Sequence, residues 1–386
     1  MGTASWNRVE VDLAALRHNF RALRQLVGAR VEILAVVKAD AYGHGLVAAA
    51  QAFAEAGAKV FGVAEVEEGI RLREAGISGQ IVVLLGTDRH GVADALAYDL
   101  SPVVYDLETV KDLAARARKA GRRIGLHVKV DLGMGRLGIR PEEFPRFMAA
   151  LSDCPELYLA GVMTHLPKAD IEDDGLAGEQ QHQLFLKLLD DLPPAAAGGW
   201  DRHLANSAAL LRYPEMRSSM VRPGITLYGC SPAAWLRTED SLDLRPAMSF
   251  KTRVIQVKDI PVGQGISYGH LYVTDRPTRL AILPVGYANG YLRRLTGKAE
   301  VLLGGKRAPI RGMICMNACM ADITGIPSVA AGDEVVLLGR QGNEEIRADE
   351  IARWSSTIDY EILCLFGSCN RQLRMDSDKR QTPSMA

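Results

Sequence analysis

Several residues in this chain place a nucleophile, a cation or a hydroxyl where a short apolar run stops. Lys38 closes the run Ile33–Val37. A lysine at the end of a buried strand is unfavourable unless it is charge-paired or covalently used. Desolvation lowers its pKa and frees the amine for Schiff-base chemistry with an aldehyde. The competing reading is a side chain that carries its charge out to solvent along its stem, and residue type and spacing leave the two level. Ser207 opens a helical stretch, and Gly224 and Ile225 follow Arg222. Backbone amides and a hydroxyl there suit a phosphate dianion, or serve only as a helix cap and a turn. His165 ends another run as a ligand, a ring-stacking partner or a satisfied core histidine. Tyr268 lies in GQGISYG; it works as a base only if cations lower its phenol from about 10, and otherwise reads as a loop aromatic.

Other chemistries are poorly supported. Gly133, Gly135 and Gly138 match G-x-G-x-x-G after a strand-like run, but Arg136 intrudes and helical character resumes only after Pro141. A dinucleotide fingerprint needs a helix to open at once. None of the eight histidines forms HExxH, Cys315 and Cys319 have no second pair, and no GxSxG occurs, so neither a metal nor a serine nucleophile is indicated.

The elements that must position these residues fall into two textures. Eight short apolar runs start near residues 31, 59, 80, 101, 123, 157, 202 and 219, with amphipathic segments such as Glu65–Ala75, Leu107–Ala120 and Glu142–Leu151 between them. Eight such strands with helical connections predict an α/β fold, a (β/α)8 TIM-like barrel, with a doubly wound sheet as the rival. The strand ends carrying Lys38, Asp131, Thr164–His165, Asn206–Ser207 and Arg222 are then the mouth, where barrels place their chemistry. A preceding helix, Leu13–Leu26, is expected to cap the barrel floor. From about 245 to 345 the chain reads as short strands and Gly-rich turns, with a hairpin at LLGGKRAPI and one helix near Asp349–Ser355. That predicts a mostly β C-terminal domain.

At 386 residues the chain is long enough for two or three domains. Its 46 basic and 46 acidic residues cancel to zero net charge, which leaves no footprint for nucleic acid or an anionic membrane. The N-terminal segment lacks a basic region followed by an apolar core, and no apolar run approaches the roughly 18 residues of a membrane span. Six cysteines without framework spacing fit a reduced, intracellular setting.

In combination these motifs resemble the alanine racemase family. The similarity runs from about Val9 to Phe366. It rests on AVVKADAYGHG at 35–45, KVDLGMGRLG at 129–138, ANS at 205–207, RPGITLYG at 222–229, GISYG at 265–269, GYANG at 286–290 and CMNACMAD at 315–322. The resemblance implies a pyridoxal 5'-phosphate enzyme that interconverts L- and D-alanine and supplies peptidoglycan synthesis. Lys38 would hold the cofactor and act as one acid–base group, with Tyr268 from a partner subunit as the other. Tyr42, Ser207, Gly224, Ile225 and Tyr360 would hold the phosphate. Arg136 would bond the phenolic oxygen and help bind substrate, His165 would lie against the ring and connect to Tyr268, and Arg222 would face the pyridine nitrogen. Met316 and Tyr287 would border the substrate, and Lys129 matches a lysine often carried as a carbamate, with an ion pair to Asp131 as the plainer reading.

The resemblance also implies a head-to-tail homodimer. It divides the chain into a barrel at 12–235, a β domain at 236–376 joined by strand 5–11 and contributing to the partner subunit's site, and a flexible tail at 377–386. Departures lie at Asn317, at Leu166, Pro167 and Lys168, and at SCNRQL from 368 to 373; they bear on which side chains are admitted. The alternatives are a broader amino-acid racemase acting, for example, on serine, a decarboxylase of the same architecture, or a barrel-only cofactor-carrying protein.

Overall fold

The computed structural model describes residues 5–190, 192, 199–236 and 242–378. Two compact units divide the chain: one spans Leu16–Ala41 and Leu46–Leu244, and the other takes the N-terminal segment to Ala15, Tyr42–Gly45 and the chain from Arg245.

The first unit is the expected (β/α)8 barrel. Its parallel strands are Glu32–Val36, Val60–Val63, Gln80–Val83, Ser101–Val104, Ile124–Lys129, Leu157–Met163, Asp201–His203 and Met220–Val221. Each pairs in parallel with the next through the seventh, and the eighth returns to the first with Glu32 opposite Met220. A bridge between Asn206 and Arg222 joins the seventh to the eighth, and Arg222 N donates to Ala205 O at 2.9 Å. Strands covered on both faces must be apolar at every position. Val60–Val63 and Ser101–Val104 are buried throughout, and so is Ile124–Lys129, which takes His127 and Lys129 inside with it.

The helix Leu107–Ala120 has the bounds its sequence predicts, because Asp106 accepts from Thr109 N at its start and Gly121 ends it at φ 61°. The first helix, Leu13–Val27, does not cap the floor. Phe20 packs on Phe53 with ring centroids 6.2 Å apart, Asn19 Nδ2 donates to Leu227 O at 3.1 Å, and Leu26 O accepts from Arg217 Nη1. These contacts place it in the outer ring beside the Leu46–Glu55 helix. A cavity of about 1050 Å³ opens instead among residues at the strands' amino ends, including Gln80, Ser101, Arg123, Tyr158 and Trp200.

The second unit is mostly β. Its largest sheet runs in the order Lys306–Pro309, Glu300–Leu303, Glu334–Gln341, Met248–Arg253, Arg8–Asp12 and Arg371–Met375, with Glu344–Ile346 also on Glu334–Gln341. A second sheet joins Gln256–Ile260, Thr278–Leu283 and Cys319–Asp322, and Gly265–Ile266 pairs with Tyr272–Val273. The expected hairpin forms around Gly304 and Gly305, both at positive φ as a tight turn demands. The run KTRVIQVKDI proves to be parts of two strands in different sheets, broken at Val254–Ile255. Beyond Ala348–Ser355 lies a second helix, Asp359–Cys369, which was not expected. Of the C-terminal segment 377–386, only Ser377 and Asp378 fall among the described residues.

Candidate active site

Lys38 stands half-buried two residues past the end of the first barrel strand. The backbone then does something residue types do not foretell. Ala39, Asp40, Ala41 and Tyr42 all lie at φ 52–54° and Gly43 at 79°, a left-handed turn that disfavours non-glycine residues by about 1–2 kcal/mol each. Several bonds hold it: Glu68 Oε1 accepts Ala39 N at 2.7 Å, Val37 O accepts Ala41 N at 2.8 Å, and Asp40 Oδ1 accepts Leu46 N at 2.9 Å. Glu68 is therefore a site-shaping residue, yet it sits in an acidic helix start with nothing to mark it. Gly43 is obligatory, since a Cβ there would stand 2.4 Å from Leu363 O.

Arg222 ends the last barrel strand, 5% exposed. Its Nη1 donates to His203 O at 2.5 Å, and its Nη2 donates to Thr164 O at 2.7 Å and Leu204 O at 3.3 Å. Nη2 also lies 3.4 Å from His165 Nδ1. Burial brings Arg222 down to about 9. Burial and then the Arg222 charge push His165 to about 3, so its ring is neutral near neutral pH. Lys129 falls to about 8, chiefly by burial, then through Arg222, Arg136 and Lys38. Lys38, Lys129, Arg136, His165 and Arg222 thus interact at one mouth.

Asp131 spends its hydrogen bonds on its own loop rather than on this cluster. Its Oδ1 accepts from Gly133, Met134 and Gly135 N and its Oδ2 from Arg136 N, all at 2.7–3.1 Å. Partial burial opposes its ionisation, yet those amides hold its carboxyl below the usual range. No salt bridge within 4 Å joins Lys129 to a carboxylate among the described residues, although the Asp131 charge acts on it at longer range and opposes the depression of its pKa. The glycines at 133, 135 and 138 shape this loop, and a Cβ on Gly138 would meet Asp131 N at 2.5 Å. No α-helix opens before Phe144, as expected for a loop that presents Arg136 rather than a dinucleotide site.

Ser207 is the first residue of the helix Ser207–Arg212, and Asn206 rather than serine is its cap. Ser207 Oγ instead accepts from Gly224 N at 2.8 Å and lies 3.2 Å from Thr226 Oγ1. Hydroxyls and the Gly224–Ile225 turn are thereby gathered at the ends of the seventh and eighth strands. Thr164 Oγ1, at the sixth strand's end, is buried with no hydrogen-bond partner.

In the β unit, the Tyr42 and Tyr360 rings lie 5.9 Å apart. Burial, then Cys364, raises the Tyr42 phenol. Tyr360 rides on the unforeseen second helix, where Asp359 Oδ1 accepts its amide at 3.0 Å. Tyr268, Tyr287 and Met316 share a second cavity of about 550 Å³ with Arg293, Met313, Ile314 and Cys315. Tyr268 is 72% exposed, on a turn entered through Ser267 at φ 63°, ψ −170°, a region that penalises non-glycine residues by about 1–3 kcal/mol. Tyr287 N donates to Cys315 O and Ala288 N to Met316 O. A Cβ on Gly286 would stand 2.1 Å from Cys315 O. Arg293, which nothing in the spacing singled out, sets its guanidinium on Met313 Sδ.

Among the described residues no group of His, Cys, Asp and Glu could hold a metal, and no helix is long and apolar enough to cross a membrane.

Comparison with known proteins agrees with this geometry. A family model for the alanine racemase N-terminal domain matches residues 11–232, and one for the C-terminal domain matches 247–373. The alanine racemase of Halothermothrix orenii is 43% identical over 355 residues, 92% of this chain and 93% of that protein. Among solved structures, alanine racemase from D-cycloserine-producing Streptomyces lavendulae matches with a TM-score of 0.90 at 36% identity, covering 99% of this chain and 100% of that one. Alanine racemase from Bartonella henselae, with covalently bound pyridoxal phosphate, matches with a TM-score of 0.86 at 26% identity, covering 96% and 100%. A match through both domains favours neither the decarboxylase nor the barrel-only alternative.

Proposed function

This chain belongs to the alanine racemase family, and from that premise we propose that its barrel mouth binds pyridoxal phosphate and interconverts L- and D-alanine with two bases. The residues present suit the group: an amine at a strand end, a buried donor-only guanidinium, hydroxyls beside a Gly–Ile turn, and the unpartnered Thr164 Oγ1. Lys38 would hold it covalently. Ser207, Gly224, Ile225, Tyr42 and Tyr360 would take its phosphate, Arg136 its phenolic oxygen, His165 its ring face and Arg222 its pyridine nitrogen. When bound, pyridoxal phosphate supplies an electron sink that makes the Cα proton removable.

The chain's own groups do the rest. Inversion needs a proton taken from one face of Cα and another delivered to the opposite face. Lys38 Nζ serves one face and the partner's Tyr268 the other, in a head-to-tail homodimer. Met316 and Tyr287 border the same substrate, and Tyr287 with Tyr360 favours a methyl-sized side chain. Arg222, still charged at about 9, can donate to a ring nitrogen but not protonate it fully; the weaker sink that results discourages transamination. Lys129 has a depressed pKa and no carboxylate within 4 Å among the described residues, and a neutral amine is the form that adds carbon dioxide. A carbamate there would be anionic and brace Arg136. Six cysteines without framework spacing suit cytoplasmic residence, with D-alanine passing to peptidoglycan.

The observation that carries this reading is Lys38 and Arg222 at the carboxyl ends of two paired strands, in one electrostatic cluster. Incubation with L-alanine in deuterium oxide tests it. D-Alanine bearing solvent deuterium at Cα, without carbon dioxide release, is expected; carbon dioxide would overturn it.

A further inference from the structure

The turn that presents Tyr268 holds a conformation its residues resist. Ser267 sits at φ 63°, ψ −170°, and Gly269 and His270 follow at φ 68° and 45°. Glycine would adopt the Ser267 geometry freely, so the serine side chain must offset the strain. Its Oγ donates to Met313 O at 2.7 Å and lies 3.4 Å from Cys315 Sγ. The two backbones approach closely here, since a Cβ on Gly312 would stand 2.6 Å from Ile266 O.

Met313 belongs to a loop that is itself fastened. Ile314 N donates to Thr296 Oγ1 at 3.2 Å, Cys315 N to Ala318 O at 2.9 Å, and Cys315 and Met316 O receive the amides of Tyr287 and Ala288. The loop is thus a fixed frame between the two exposed tyrosines of the cavity. Tyr268 makes no side-chain hydrogen bond among the described residues of its own chain. Within that chain, the backbone of its own turn is what directs the phenol.

We infer that Ser267 is a positioning residue for Tyr268: its hydroxyl, held on Met313 O, fixes the strained turn that aims the phenol at the substrate. This rests on Tyr268 being the second base. Ser267→Gly relieves the strain and removes the bond, whereas Ser267→Ala keeps the strain and removes the bond. Both leave Lys38 untouched, so exchange of Cα hydrogen with solvent continues in one alanine antipode while inversion, which also needs Tyr268, slows.

The experiment follows each alanine antipode with the holoenzyme in deuterium oxide and compares Cα exchange with inversion. In both variants the ratio of exchange to inversion is expected to rise about tenfold or more, since sub-ångström misplacement of a reacting group costs rates of this order. Amide exchange by mass spectrometry should also quicken across residues 266–270. An unchanged ratio, or equal loss of exchange and inversion, would overturn the inference. If Ser267→Ala does not fold, Ser267→Gly decides. Tyr268→Phe separates the two readings: should it still invert alanine, the base assignment falls, and the amide-exchange arm alone decides whether Ser267 clamps the turn.

Discussion

At the barrel mouth Arg222 is buried among three backbone carbonyls, whereas in the β unit Tyr268 is largely exposed on a turn flanked by positive φ. Under the proposed function both regions present a group to the same substrate. The mouth holds its groups by burial, which also tunes them: Arg222, Lys129 and His165 are all depressed by desolvation first. Tyr268 has no such surroundings within its own unit. A group fixed by strand ends is oriented and tuned together; a group that, as proposed, serves a second subunit is directed within its own chain by its backbone. Strain at Ser267 and close approaches at Gly286 and Gly312 are the means available there.

Four changes break or sharpen that contrast. Tyr268→Phe removes the exposed base and should lower alanine inversion by about 10²–10⁴-fold, with the cofactor's visible absorbance retained. Mixed with a Lys38→Ala chain it should regain activity through heterodimers; no recovery with verified subunit exchange would place the tyrosine in its own subunit's site. Gly286→Ala drives a Cβ into Cys315 O and should destabilise the β unit by about 1–3 kcal/mol; thermal unfolding checks it, and an unchanged Tm would deny the close approach.

Arg222→Glu replaces the buried donor with a group able to leave the ring nitrogen protonated. The ratio of pyruvate-forming transamination to inversion should rise about tenfold, a 1.4 kcal/mol change in partitioning, and equal ratios would refute the role given to arginine. The smallest effect concerns Lys129. With its pKa lowered to about 8 from 10.5, the uncarbamylated amine holds fewer protons folded than unfolded between those values. Its penalty on stability is therefore complete below pH 8 and fades as pH rises towards 10.5. Stripping carbon dioxide should lower Tm at pH 7 and lower it less at pH 9, and ¹³C-bicarbonate should give a carbamate resonance in the native protein. Neither change in Tm nor a resonance would leave Lys129 a plain amine.

Legibility followed the same division. The barrel strands were readable because two-face burial forces apolar runs, and strand ends pointed to Lys38, His165, Ser207 and Arg222 without reference to any family. Leu107–Ala120 was readable to the residue because Asp106 and Gly121 are strong caps. The helix Asp359–Cys369 was not, since DYEILCLFGSC is apolar on most sides and Ile358 supplies no side-chain cap. The left-handed turn after Lys38 uses Ala, Asp, Ala and Tyr, types that argue against it, so only tertiary bonds such as Glu68 to Ala39 explain it. The Leu13–Val27 helix was correctly bounded but misplaced, because an amphipathic stripe says that a face is covered and not by what. Tyr42, Tyr287, Met316 and Tyr360 entered through resemblance alone, and Tyr268 only as a possible base in a Gly-rich loop; no spacing rule marks such residues.

Replacement of the Lys38 amine tests the central claim most directly. Lys38→Ala should purify without covalently attached pyridoxal phosphate, as read by borohydride reduction and mass spectrometry, and should not invert alanine, while its thermal unfolding stays near that of the parent. Covalent cofactor and inversion both surviving in that variant would contradict the account.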